Sequence, residues 1–262
     1  MNPEIKEKKI FFHVGLGKTG STWLQDRFFP ILKGVYYIYT AKFKSAAEII
    51  RNSSESRILV SREFDQQYET ELVKFHSHSP ESYIIIFLRR HDSWIASQYR
   101  RFVKNGFPGS FTEFIDLKED KGYWKKKDLE FFYRLPMAEL YSGHVPLVIF
   151  YEDFRKDSTA VLNRLCDFMG ATYNPAELNT DSKHASWEDK QLKFVRKWGK
   201  YFYSYKKKPV KNPVLRWMRR ILHQGMRYTL LFLGRILPEA WIGKEDLIEK
   251  SELEWLAAKG AG

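Results

Sequence analysis

Residues 83–88 read YIIIFL, a run of apolar side chains with no polar alternation. A strand wetted on one face alternates apolar and polar residues, whereas a run that does not alternate is covered on both faces, as in a parallel sheet with helices above and below. Further short apolar, β-branched or aromatic runs recur at 10–14, 35–39, 58–61 and 146–151. Helical patterns fill the intervals at 21–32, 65–75, 92–104, 129–141 and 158–169, with Gly170 placed to end the last, and two more follow at 187–203 and 214–237. The alternation predicts an α/β fold with a mostly parallel central sheet of about five strands, helices on its faces and a helical C-terminal extension. In such a sheet ligands gather outside the carboxyl ends of the strands, so a residue just after a strand carries more functional weight than one just before.

A chain of 262 residues with 44% hydrophobic content can bury one substantial core, and a single domain is expected over 1–262. The lone cysteine, Cys166, rules out a disulfide within the chain and reads as a small buried hydrophobe in a reducing compartment. The first residues, MNPEIKEKK, are charged, and the apolar run at 10–14 is too short for a signal peptide or a membrane span. The expectation is a soluble cytoplasmic protein, with peripheral membrane attachment left open by the charge distribution. Of the 44 Lys and Arg, 13 fall between Gln191 and Pro238, a stretch that holds none of the 32 acids, so the net charge of +12 belongs to one segment.

The sharpest local signal is HVGLGKTGSTW at 13–23, where a strand runs into a glycine-rich turn and then a helix. Glycines let the backbone approach an anion, and the free amides and dipole of the helix start favour negative charge. Lys18 adds a point charge, and Ser21 and Thr22 add hydroxyl donors. The fold is therefore expected to be P-loop-like. An ordinary Walker A loop matches at Gly17-Lys18-Thr19, but its first glycine would fall at Phe12, which counts against an NTPase.

The run Lys18-Thr19-Gly20-Ser21-Thr22-Trp23 resembles the signature loop of the sulfotransferases that use 3'-phosphoadenylyl sulfate (PAPS). The family's second signature is an arginine at the end of a central strand and a serine eight residues on, and FLRRHDSWIASQYRRF supplies Arg89 and Ser97. A guanidinium fork and a hydroxyl can together grip the extra 3'-phosphate that distinguishes this donor from ATP. Arg90 would leave a seven-residue spacing and reads as a solvent or substrate contact. VPLVIFYEDFRKDSTAVLNRLCDFMG looks like the strand, acidic turn and helix that close the family's nucleotide-binding core, so the resemblance spans about 9–170, with a basic helical segment at about 187–258. Where many relatives carry an Asn-x-Ser pattern, this chain has His184-Ala185-Ser186.

The resemblance implies transfer of a sulfuryl group from PAPS to a hydroxyl or amine of a glycan, lipid or small metabolite, with the corresponding bisphosphate (PAP) as product and no metal. It assigns the donor to Lys18, Thr19, Gly20, Ser21, Thr22, Trp23, Arg89 and Ser97, with Trp23 either near the adenine or packed in the core. Family members draw the acceptor's proton to a glutamate or a histidine. Glu63 directly follows the run at 58–61 and is the first candidate, with His13, His91 and Glu152 behind it; its bland reading is a helix-start carboxylate. His76 and His78 precede a strand and should lie on the far edge of the sheet.

In the basic segment Val214, Trp217, Met218, Ile221, Leu222, Met226, Leu233, Ile236 and Leu237 fall near helical spacing with Arg216, Arg219, Arg220 and Arg227 interleaved. Three readings stand: packing on the core with a solvated basic face, docking on an anionic membrane surface, and contact with an acidic glycan or other partner. A kinase using ATP and magnesium is the alternative enzyme. Nucleic-acid binding through 193–211 ranks below both, because it leaves the phosphate loop and Arg89 unexplained.

Overall fold

The five apolar runs become strands β1 (Lys9–Gly15), β2 (Tyr36–Ile38), β3 (Arg57–Glu63), β4 (Tyr83–Leu88) and β5 (Leu147–Phe150). All pairings are parallel and the order is β2-β3-β1-β4-β5. The chain crosses from β3 over β1 to β4, so the order reverses at β1, and the crevice of such a sheet opens outside that strand's carboxyl end. The structure is a computed structural model and describes residues 8–129, 133–179, 187–202, 209–243 and 245–259. The N-terminal residues 1–7 and the His184-Ala185-Ser186 departure lie outside the described residues.

In chain order the helices are α1 (Ser21–Trp23), α2 (Ala46–Asn52), α3 (Tyr68–His76), α4 (His91–Lys104), α5 (Phe111–Phe114), α6 (Lys126–Leu129), α7 (Arg134–Ser142), α8 (Tyr151–Lys156), α9 (Ser158–Met169), α10 (Asp189–Phe202), α11 (Pro213–Ile236), α12 (Glu239–Ile242) and α13 (Lys250–Lys259). The helix expected at 21–32 is not uniform. α1 gives way to a π turn at Leu24–Phe28 and a 3-10 turn at Phe29–Ile31, where Pro30 has no amide to donate. The reading at 129–141 corresponds to α7, with 130–132 outside the described residues. The acidic turn read after β5 is itself helical, as α8. Gly170 ends α9 as expected, in the left-handed region at φ 61.

The chain divides into two compact units, Met1–Arg90 with Glu130–Asp181, and His91–Leu129 with Ser182–Gly262. The first contains the sheet. On one side of it Phe11, Leu59, Ile85, Phe87 and Ile149 of the strands pack with Leu162 and Leu165 of α9 and with Leu24 and Phe28. Cys166 lies in this core and is free, as its apolar helical pattern implied. In the second unit the rings of Trp94 and Trp124 meet edge to face at 5.1 Å, and Tyr99 meets Phe111 at 5.2 Å. Arg100 of α4 makes a two-pronged bond to Asp189 at the start of α10, at 2.7 and 2.9 Å.

Candidate active site

The turn after β1 is shaped by side chains that face inward. Thr19 is fully buried and its hydroxyl donates to the Leu16 carbonyl at 2.6 Å, and Ser21, also buried, lies 3.2 Å from it. Gly15 is required by that arrangement, because a Cβ there would fall 1.9 Å from Ser21 Oγ. Gly20 takes the left-handed conformation at φ 90 that lets the helix begin, and Lys18 adopts φ 74, where a residue with a side chain is strained. Of the polar side chains read as donor contacts, Lys18 and Thr22 are exposed, whereas Thr19 and Ser21 shape the loop from within. Phe12, where a Walker A loop would need glycine, is a buried residue of β1.

Two neighbouring strand ends converge on this loop. Arg89, immediately after β4, donates from Nη1 to the Lys18 carbonyl at 2.9 Å, and its guanidinium lies 4.6 Å from the centre of the Tyr151 ring. Glu63 ends β3 in register with Gly15 and accepts a hydrogen bond from the Thr22 hydroxyl at 3.2 Å. Asp65, two residues on, accepts the Gly17 amide at 2.9 Å, while the Tyr68 amide donates to its carbonyl. This explains why α3 starts at Tyr68 and not at 65. Asp65 and Tyr151 were not singled out in the sequence, although both follow a strand, which was the available signal.

The other candidates separate by environment. His13 is fully buried: its Nδ1 shares a hydrogen bond with the Ser61 hydroxyl at 2.7 Å, and its ring meets Phe29 and Phe87 edge to face. Desolvation lowers its pKa from 6.5 to about 3. His91 begins α4 in the second unit, and burial lowers its pKa too. Glu152, in the first turn of α8, accepts the Arg90 amide at 3.2 Å. Ser97 is half-buried on α4 in the second unit. Trp23 is half-buried, with its ring 5.4 Å from Phe154 at the margin of the core.

A cavity of about 760 Å³ lies beside Glu63. It follows α3, a nine-residue helix about 13 Å long, from Arg62 and Glu63 at one end to Lys74 and His78 at the other. Phe43, Phe64 and Phe75 give it an apolar lining, and Lys44 adds a cation. His76 ends α3 with its ring 5.4 Å from Tyr141.

A family profile described as "Sulfotransferase domain" matches residues 8–204. Sulfotransferase 2A2 of Rattus norvegicus is 40% identical over 42 residues, which is 16% of this chain and 15% of that protein. The crystal structure of a sulfotransferase from Alicyclobacillus acidocaldarius superimposes with a TM-score of 0.51 at 17% identity, over 89% of this chain and 98% of the other, which is a likeness of fold. A mouse sulfotransferase, SULT7A1, crystallised with PAP, gives a TM-score of 0.43 at 16% identity over 86% and 83% of the two chains.

Proposed function

Since the chain belongs to the sulfotransferase family, we propose that it transfers a sulfuryl group from PAPS to a hydroxyl or amine of a glycan, lipid or small metabolite. The observation that carries this reading is the meeting of Arg89 with the phosphate-type loop through the Lys18 carbonyl. The loop fits an anionic donor. Gly15 and Gly20 allow a tight backbone turn, Thr19 and Ser21 brace it from inside, and Lys18 and Thr22 are left at the surface of the helix start. When bound, the donor supplies the sulfuryl group and a phosphate leaving group.

Each residue then has a task that suits its surroundings. Lys18 stabilises charge on the phosphate side, with Thr22 and the loop amides from Gly20 to Thr22 in support. Arg89 is held by the Lys18 carbonyl and Tyr151, so its fork is oriented before any ligand arrives, and it takes the second phosphate. Glu63 takes the proton from the acceptor, since it borders both the loop, through Thr22, and the cavity along α3. That cavity is the proposed acceptor trough. His13 is a core residue in this reading, because its ring is sealed from solvent.

Calorimetric titration with adenosine 3',5'-bisphosphate tests the proposal. Binding is expected to be the same with and without magnesium and much weaker for ATP. Arg89→Ala should lower affinity for the bisphosphate about tenfold or more, the loss of a charged hydrogen bond, while barely affecting the analogue without a 3'-phosphate. Magnesium-dependent binding of ATP in preference to the bisphosphate would overturn the assignment in favour of a kinase.

A further inference from the structure

α11 is amphipathic, and its apolar face points away from the unit it belongs to. At about 3.6 residues per turn, Val214, Trp217, Met218, Ile221, Gly225 and Phe232 share one face. The buried residues of the helix, Leu230, Leu231 and Gly234, lie on the opposite face. There the helix seats on α10 so closely that a Cβ on Gly234 would stand 3.0 Å from Gln191 Cα, and Gln191 donates to the Leu231 carbonyl at 3.0 Å. A helix that packs on a core by its apolar stripe does the reverse. Here Trp217 is 62% exposed, Leu222 65% and Phe232 61%. At Gly225, in the middle of the face, an added Cβ would meet nothing within 4 Å among the described residues.

A second apolar patch lies on the side of α11 that meets α10, where Leu230 also lines it. Trp241 of α12 is 66% exposed and, with Phe194, Trp198, Phe202, Leu233 and Leu237, lines a groove of about 280 Å³. Along 191–238 the charge is of one sign, with no Asp or Glu and with Arg216, Arg219, Arg220 and Arg227 on the polar side of α11, while Glu239 at the start of α12 lies 3.5 Å from Lys193. Tryptophan and tyrosine beside an aliphatic face, arginines behind it and an absence of acids is the composition of a helix that lies in the headgroup plane of an anionic bilayer. No described helix is long and apolar enough to cross a membrane.

We propose that the exposed face of α11 docks this protein on the surface of a bilayer carrying anionic lipid headgroups. The apolar face enters the boundary between headgroups and acyl chains, and the arginines meet the lipid phosphates and carboxylates. A second copy of the chain fits less well, since a symmetric pairing through this segment would bring two basic stretches together without an acid to offset them. A nucleic acid would engage the arginines and leave Met218, Ile221 and Leu222 in water.

Flotation of the full chain with vesicles tests this, using phosphatidylcholine alone and phosphatidylcholine mixed with an equal share of phosphatidylserine. The protein is expected to float with the mixed vesicles and at least roughly tenfold more weakly with the neutral ones. Met218→Asp with Leu222→Asp should lower the partition at least roughly tenfold, and Arg219→Gln with Arg220→Gln roughly fivefold per charge. Met218, Leu222 and Arg220 are exposed and Arg219 is half-buried, so the folding of both pairs is checked by circular dichroism. Hydrogen exchange of the unaltered chain is a second readout, with amides of 214–236 expected to slow only when phosphatidylserine is present. The proposal is overturned if neutral and anionic vesicles bind alike, if exchange in α11 is unmoved by phosphatidylserine, or if Met218→Asp with Leu222→Asp leaves flotation unchanged. It is also overturned if those substitutions abolish only self-association or the binding of duplex DNA.

Discussion

Lys18 holds its backbone at φ 74 in a loop where Thr19 and Ser21 are turned inward, so the strain there is sustained by the buried Thr19 bond to the Leu16 carbonyl that closes the turn across it. On the proposed chemistry, Lys18→Ala lowers turnover by about 10²-fold, as for loss of one preorganised charge contact. Glu63→Gln, by contrast, keeps bisphosphate affinity and loses transfer. Paired calorimetry and turnover measurements separate the two, and a collapse of donor affinity in Glu63→Gln would make that residue a donor contact. His13 gives a prediction independent of function. The folded state keeps the ring neutral down to about pH 3, whereas the unfolded chain accepts a proton near 6.5. The stability this brings is complete above pH 6.5 and is lost as pH falls from 6.5 towards 3, by up to about 1.4 kcal/mol per pH unit. His13→Asn, which does not titrate, should show a shallower fall in melting temperature between neutral and acid pH; identical slopes would assign the acid loss elsewhere.

At the scale of elements, α10 and α11 meet where a side chain would be in the way. Gly234→Val should destabilise the protein by roughly 1–3 kcal/mol, since the new Cβ would stand 3.0 Å from both Gln191 Cα and Phe194 Cβ. Gly225→Ala on the same helix meets open space and should instead gain up to about 1 kcal/mol from helix propensity. Denaturant titration of the two variants checks the contrast, which a uniformly packed helix would not give. The same scale shows what local patterns carry. The strands were legible because uninterrupted apolar runs leave few other options, and the end of α9 was legible because Gly170 suits a left-handed cap. The π and 3-10 turns after Trp23 and the late start of α3 were not. The first depends on how Phe28 and Phe29 enter the core, and the second on Asp65 bonding to Gly17 across 48 positions of chain.

Over the whole molecule, the break between Arg90 and His91 divides the chain just after the loop-contacting arginine, and α4 belongs with the C-terminal helices. The sequence showed a basic segment and an amphipathic helix but left three destinations open for its apolar stripe; the buried face, with Leu230, Leu231 and Gly234, turned out to be the other one. By itself the sequence determined the parallel sheet, the glycine turn into a helix and the residues available at strand ends, because apolar periodicity and backbone freedom are local properties. The tertiary structure alone decided that Thr19 and Ser21 point inward, that His13 is sealed, that Arg89 rests on the Lys18 carbonyl, and which side of α11 meets water. Those outcomes depend on contacts between residues far apart in the chain, and a pattern read along one segment contains no term for them.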